Sequence, residues 1–442
     1  MKRRKFLKTT GGFTAFAMLP GMFTIGFTGY RKMQYDFKPY RPDQTIGTVT
    51  QVTPDDGYYI HTFYDICPFS PSQRYLAVNR LPFQDRGPKF GDLCDVCVVD
   101  LENENIETVY RTRGWAVQLG ANLNWGATDR FLYTNDIINN EAVCVQIDLE
   151  SKEVVAFSGP MYHIAPDETS VIGFDLDYIN DSQIGYGVPE FRERGMVPGS
   201  PDDMGLWKTN LQTNRKELLV SLKQAYETAD DDYLTGGKSY FFHSKWNPQG
   251  DKILQVFRTL FPDHPNKSGR NPILLTLNAD GSDMRVAVTR EYWGYGGNHP
   301  NWHPDGEHII MNLTPEWMGD PNRRFAKVHH SGDHIEILTE KYLGSGHMRI
   351  TPDSKYLVAD CYLREPMAHR DIGEVPIRLL DLKADHEVEV CSVFIDLEYS
   401  RVDSLLRVDP HPEWSRDFKQ VCFNGVLNGR RQVLIADLSE VL

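Results

Sequence analysis

One turn recurs along this chain, and it constrains the fold more than any other feature. In "WHPDGEHIIMNL", from Trp302, a short strand meets an apolar strand across a Pro-Asp-Gly turn. The same register returns in "FSPSQRYLAVNR" from Phe69, "NWGATDRFLYTND" from Asn124 and "IAPDETSVIGFD" from Ile164. It returns again in "WNPQGDKILQVF" from Trp246, "ITPDSKYLVADC" from Ile350 and "EWSRDFKQVCFNG" from Glu413. After most of these comes a second strand pair ending in patterns such as "CVVDLEN", "VQIDLES", "RLLDLKA" or "LIADLSE". Four short strands per unit, at a period of tens of residues, is the signature of a propeller blade. Seven units account for the chain from about Tyr58 to the end.

The expected fold is therefore all-β: a seven-bladed β-propeller with four-stranded antiparallel blades, forming one domain over residues 33–442. The last segment, "RQVLIADLSEVL", is expected to complete its sheet with a strand from the region of residues 45–60. A pair of β-sandwiches is the competing architecture, but sandwiches do not repeat one turn at one register. The longest departures from the period are 179–206, 259–271, 314–330 and 363–376, and loops of that size on a compact scaffold shape a binding face.

Residues 1–32, "MKRRKFLKTTGGFTAFAMLPGMFTIGFTGYRK", read as an export signal. Arg3-Arg4 ahead of Phe6-Leu7-Lys8 resembles the twin-arginine consensus, so the expected location is periplasmic or secreted. No other stretch is apolar for long enough to cross a bilayer, which excludes stable insertion once the signal is removed. The alternative is an uncleaved apolar anchor. A net charge of −14 argues against a nucleic-acid partner, while a local cluster of Arg and Lys can still hold an anion against that global field. The seven cysteines include a Cys94/Cys97 pair, but it lies in an alternating strand, where residues three apart face opposite ways. These cysteines read as small core residues, and the protein as a monomer.

The register also organises the histidines. His243, His299 and His347 each stand five residues before the proline of their own turn, and His411 holds almost the same place in the last unit. In a propeller this is the start of the innermost strand, so four imidazoles from four consecutive blades are expected to converge on the channel. Imidazole suits Zn, Mn, Fe or Ni, and the set is expected to bind one divalent ion, Mn, Zn or Ca. The alternative is that each ring merely bonds its neighbouring strand. His61, within "DDGYYIHTFYD", is the expected acid–base group, with Tyr64 as its catalytic partner and Tyr59 at the substrate. Arg80 is expected at the catalytic centre, and Lys245 and Arg349, each two residues after a channel histidine, at the substrate. Asp65, Asp92 and Asp360 read as turn and strand-end residues, His303 and His308 as surface or packing groups, and His329, His330 and His334 as solvated.

"FFHSKWNPQGDKILQVFR", "LLTLNADGSDMRVA" and "GGNHPNWHPDG" are similar to blades of seven-bladed propeller polysaccharide lyases. That group includes oligogalacturonate lyases, ulvan lyases and rhamnose–glucuronate lyases with hydrolase relatives. The resemblance implies an acidic oligo- or polysaccharide substrate cleaved beside a uronic acid by β-elimination. In the oligogalacturonate group, histidines from consecutive blades hold a metal, a pattern that His299 and His347 match, with His243 at a functional place. In the ulvan group a first-blade His is followed by a second His, a Tyr and an Arg. His61 fits the first, whereas the other places fall near Asn79, Asn124 and Asn140, which cannot do that job. This departure favours a rhamnosidase-like glycoside hydrolase as the second reading, although hydrolysis normally needs two carboxyl groups. A third reading is a non-catalytic propeller that binds a glycan or a protein, since the fold hosts many functions.

Overall fold

The computed structural model describes residues 23–24, 26, 29–189, 195–267, 269–399 and 405–442. The chain forms seven antiparallel sheets, four of them built wholly from strands that follow one another along the sequence. Blades three to six have four strands each. Their innermost strands are His163–Ile164, Lys238–Trp246, Gly297–Trp302 and Met348–Ile350. The other three innermost strands are Tyr58–Ile60, Asn124–Trp125 and Glu413–Trp414.

The beginning of the chain finishes three of the sheets. Thr48–Gln51 pairs with Arg430–Asp437 and closes the ring, so the last blade is made from both ends of the sequence. Arg31–Gln34 adds a fifth strand to blade one, and Phe23–Thr24 a fifth to blade two. The strand from Arg31 straddles the expected boundary at residue 32. The twin-arginine reading falls on residues 1–22, outside the described residues. Among the described residues, no helix is long and apolar enough to cross a membrane. The α-helices there are short: Ile179–Ser182, Leu222–Ala229 and Arg290–Gly294.

Three of the four turn tryptophans help to hold the register, whereas Trp246 Nε1 is buried without a hydrogen-bond partner. Trp125 Nε1 donates to Pro68 O at 2.8 Å, Trp302 Nε1 to Lys245 O at 3.0 Å, and Trp414 Nε1 to Arg349 O at 3.3 Å. Each indole thus bonds a carbonyl of the preceding blade while its rings fill the seam between sheets, where a buried indole needs a partner for its N–H. All seven cysteines are free thiols. Cys94 packs with Val96 and Val145, and Cys97 in a separate cluster with Val78 and Cys422, on opposite faces of their strand.

Candidate functional site

The histidine register acquires its shape from the backbone. His243, His299 and His411 all adopt left-handed φ values, 58°, 56° and 53°. The inner strands shift register between Phe242 and Ser244 and between Asn298 and Asn301. Such bulges re-aim a side chain, and His tolerates the left-handed region better than branched residues do. In blade six the positive φ falls one residue earlier, on Gly346 (57°), where a Cβ would lie 2.0 Å from Asp360 Oδ1. Glycine there lets Asp360 reach His347.

Four rings form a continuous series along the axis. The His299 and His347 centroids are 3.9 Å apart, those of His347 and His411 4.3 Å, and those of His411 and His61 6.4 Å. His347 Nδ1 is 3.0 Å from Asp360 Oδ2, and the backbone N–H groups of His347 and His411 also donate to this carboxylate. His299 Nδ1 lies 2.6 Å from Gly346 O, and Tyr362 O–H is 3.2 Å from Nε2. The nitrogens left over matter most: His347 Nε2, both ring nitrogens of His411, and His61 Nδ1 are buried without a hydrogen-bond partner. Orphaned polar atoms are rare in folded proteins, and a convergent set of imidazole nitrogens has the chemistry to hold an ion. His347, Asp409 and His411 offer ligand atoms that all lie within 4.8 Å of one another. Burial, and then neighbouring His347, hold His299 and His411 well below the usual imidazole range. Burial likewise brings His61 down to about 4. The neutral rings are the form a metal needs.

His243 takes a different course from the expected shared coordination. Its Nδ1 lies 3.0 Å from Tyr162 Oη, and that hydroxyl donates to Asp65 at 2.9 Å. The ring stacks on Phe63 at 5.8 Å and 13°. Burial, and then Lys245, push it down to about 3, so it is a neutral imidazole whose Nδ1–H is tied up and whose Nε2 is left as an acceptor.

Above these rings opens a cavity of about 1140 Å³. Its wall includes His243, His299, Phe63 and Tyr362 together with Arg258, Lys267, Arg270, Arg364 and Arg407. Among the described residues that line it there is no Asp or Glu. All four irregular loops contribute: Gln183 and Tyr186 from the first, Lys267 and Arg270 from the second, Arg323 from the third and Arg364 from the fourth. A strongly acidic chain thus gathers cations at one mouth, several of them paired to carboxylates behind the wall: Arg407 with Asp409 at 2.8 Å, Arg290 with Asp231 at 2.6 Å and Arg323 with Glu365 at 3.4 Å.

The other expected site residues go elsewhere. His61 is fully buried, its N–H donating to Asn424 Oδ1, and it lines neither large cavity. Tyr64 is a wedge in the channel, its ring 5.0 Å from that of His347 and 5.2 Å from that of His299. Arg80 is 3.2 Å from Asp56 Oδ2, beside a separate small cavity on blade one, and Tyr59 donates to the same aspartate. Neither reaches the channel. Lys245 Nζ lies 2.8 Å from Asp65 Oδ2 and donates to Tyr64 Oη and Pro300 O. Arg349 is 2.6 Å from Glu413 and borders a cavity of about 540 Å³ at the opposite end of the axis. Lys245 and Arg349 are therefore spent on buried ion pairs, not on the cationic mouth. Arg407, Tyr362, Asp360 and Asp409 were not expected at the site. The one sequence signal for them is position, since Arg407 and Asp409 immediately precede His411 in "RVDPHPEW".

No family description and no curated protein matches the chain. Solved structures do. An oligogalacturonate lyase from Vibrio parahaemolyticus superposes with a TM-score of 0.65 at 17% identity, over 92% of this chain and 98% of its own. An oligogalacturonate lyase in complex with manganese gives 0.65 at 18%, over 92% and 97%. At such identities the likeness is one of fold, and it extends over the whole propeller.

Proposed function

We propose that this protein cleaves an acidic, uronate-containing oligosaccharide by β-elimination in the larger cavity. The single observation that carries the reading is the conjunction there of an acid-free cationic wall with a neutral, oriented His243. The two lyase structures of the same fold support the same substrate class.

Elimination needs the uronate carboxylate neutralised, because the C5 proton is otherwise too weakly acidic, and cations fixed around the developing charge lower that barrier. Arg258 and Arg407 line the cavity close to the channel rings and are the groups for this task. His243 Nε2 accepts the C5 proton, while Tyr162 and Asp65 hold Nδ1–H and offset part of the burial penalty on the imidazolium that forms. The C5–H electron pair becomes the C4–C5 double bond as the C4–O bond breaks. Water admitted through the open mouth protonates the departing oxygen. Hydrolysis by two carboxyl groups has no counterpart among the lining residues.

The buried donor set suits a divalent ion, with His347 Nε2, His411 and the Asp409 carboxylate as ligands and Asp360 orienting His347 from behind. Bound there, such an ion would supply positive charge to the channel. In the test, the protein is incubated with a panel of uronate-containing oligosaccharides while absorbance of unsaturated products and release of reducing sugar are followed together. Growth of both signals supports elimination. Reducing ends without unsaturation overturn it in favour of hydrolysis, and no product from any uronate leaves a binding propeller.

A further inference from the structure

A second group of histidines lies on blade five, at the end of its strands away from the cationic mouth. Strand Gly297–Trp302 runs from the cavity wall to the Pro-Asp-Gly turn, and His308–Leu313 runs back. The turn that follows Arg324–His329 therefore lies beside the Pro-Asp-Gly turn. His308 is the direct cross-strand partner of His329, their rings 5.2 Å apart at 74°. The His330 ring lies 4.6 Å from that of His329. The backbone N–H of His330 donates to Glu307 O at 3.0 Å, which fixes the two turns against each other.

Hydrogen bonding sorts the ring nitrogens. His303 is used up, with Nε2 at 2.8 Å from Ser354 Oγ and Nδ1 accepting from the Asp305 N–H. His308 Nδ1 meets Asp305 at 2.7 Å and His329 Nδ1 meets Ser331 Oγ at 2.6 Å, so each keeps Nε2. His330 Nε2 lies 3.2 Å from Glu307 Oε2. Lys252 stands 3.4 Å from the other carboxylate oxygen, Oε1, and leaves Oε2 to the imidazoles. Glu307, His329 and His330 can present one ligand atom each, all within 4.8 Å of one another. Around a tetrahedral ion with bonds of ~2.0–2.1 Å, ligand atoms sit roughly 3.3–3.4 Å apart. The Glu307–His330 pair already has that spacing, and half-exposed His329 needs only a modest side-chain rotation.

We propose that Glu307, His329 and His330, with His308 as the adjoining fourth donor, form a second divalent-cation site that clips together the two turns of blade five. Two or three imidazoles with one carboxylate select a borderline ion such as Zn²⁺, Ni²⁺ or Co²⁺. Mg²⁺ and Ca²⁺ want oxygen ligands and are not expected to compete. The site is independent of the channel chemistry, because its residues lie at the other ends of the strands.

The test titrates chelator-stripped, untagged full-length protein with Co²⁺ while visible d–d absorption and bound metal are measured. Three proteins are compared: the wild type, His329→Ala/His330→Ala and His347→Ala/His411→Ala. The blade-five double variant should bind one equivalent fewer than the wild type, or bind it at least tenfold more weakly. The channel double variant should keep the blade-five equivalent and its absorption, which separates this proposal from any failure of the channel reading. Equal Co²⁺ stoichiometry and affinity in the wild type and His329→Ala/His330→Ala overturns the proposal. So does displacement of the blade-five Co²⁺ by an equal concentration of Mg²⁺, which would mark a carboxylate site without imidazole ligands.

Discussion

The two halves of the channel are built from the same inner strands and the same residue types, yet they are lined differently. On the mouth side, His347 Nε2, His411 and Arg258 Nε keep buried polar atoms without partners, and the wall carries cations with no carboxylate among its described residues. On the far side, Asp65 meets Lys245 at 2.8 Å and Arg349 lies 2.6 Å from Glu413, although Asp65 Oδ1, Arg349 Nε and Glu413 Oε2 are also buried without a hydrogen-bond partner. Burial pushes the Asp65 carboxyl up, but Lys245 and the hydrogen bond to His243 outweigh it and hold it well below the usual carboxylate range. Burial brings Lys245 down to about 8 and Glu413 up to about 7. Unsatisfied buried polar groups cost stability, and removing one partner of a buried ion pair leaves a charge that costs more still. What separates the halves is their lining: the mouth wall carries cations and no carboxylate among its described residues, whereas the far cavity is lined by Asp65 and Glu413 together with Arg349 and Arg416.

The sharpest way to break this contrast is at their junction, His243. His243→Gln keeps the volume of the ring and removes the base, so turnover on a uronate oligosaccharide should fall by about two to four orders of magnitude. The far-UV circular dichroism spectrum should be unchanged. A variant with more than a tenth of wild-type kcat would move the base elsewhere in the cavity. Next in size, Lys245→Met strands the buried Asp65 charge and should cost ~3–5 kcal/mol of unfolding free energy. Adding Asp65→Asn should restore most of that loss. If denaturant melts show the double variant no more stable than the single, the far-half network is not a local pair.

A smaller effect is expected at the outer wall. Arg270→Gln/Arg364→Gln removes two cations from the cavity rim and leaves the histidine rings in place, although Arg364 also lies 5.2 Å over the Tyr362 ring. KM for an acidic oligosaccharide should rise about tenfold, roughly 1.4 kcal/mol, with kcat nearly constant, because rim charges contribute uniform binding. The wild-type advantage should shrink as salt is raised. A fall in kcat at constant KM would instead place one of these arginines at the reacting carboxylate.

The contrast between the halves also marks what a sequence of this kind can and cannot disclose. The recurring turn disclosed seven blades, the closing strand and the four loops that build the mouth, because strand alternation and turn chemistry are local. The histidine register was equally legible, and it brought His299, His347 and His411 into one series. Partner choice was not legible. His243 is oriented by Tyr162 from blade three and Asp65 from blade one, and no spacing within blade four encodes that. Tyr59 and Arg80 face each other across Tyr58–Ile60 and Tyr75–Leu81, on the side that meets Asp56, and a one-residue change of register reverses such a face. His308 read as a surface or packing group and His329 and His330 as solvated ones, until cross-strand pairing sets them together.

The last prediction turns the pairing of the far half into a pH profile. The folded-state carboxyl of Asp65 lies well below its unfolded value of ~3.9. A depressed acid contributes stability that is present above the unfolded pKa and lost as pH falls below it, since the unfolded chain then binds a proton that the native state does not. Each such proton steepens the loss by at most ~1.4 kcal/mol per pH unit. Asp65→Asn/Lys245→Met deletes the carboxylate and its partner together, so its stability should fall less steeply with acid than that of the wild type. Urea melts at pH 5, 4 and 3 would measure both slopes. Parallel slopes would mean that Asp65 takes up its proton as readily in the folded channel as in the unfolded chain. The far half would then be as open to ligand chemistry as the mouth, and the division between the halves would fail.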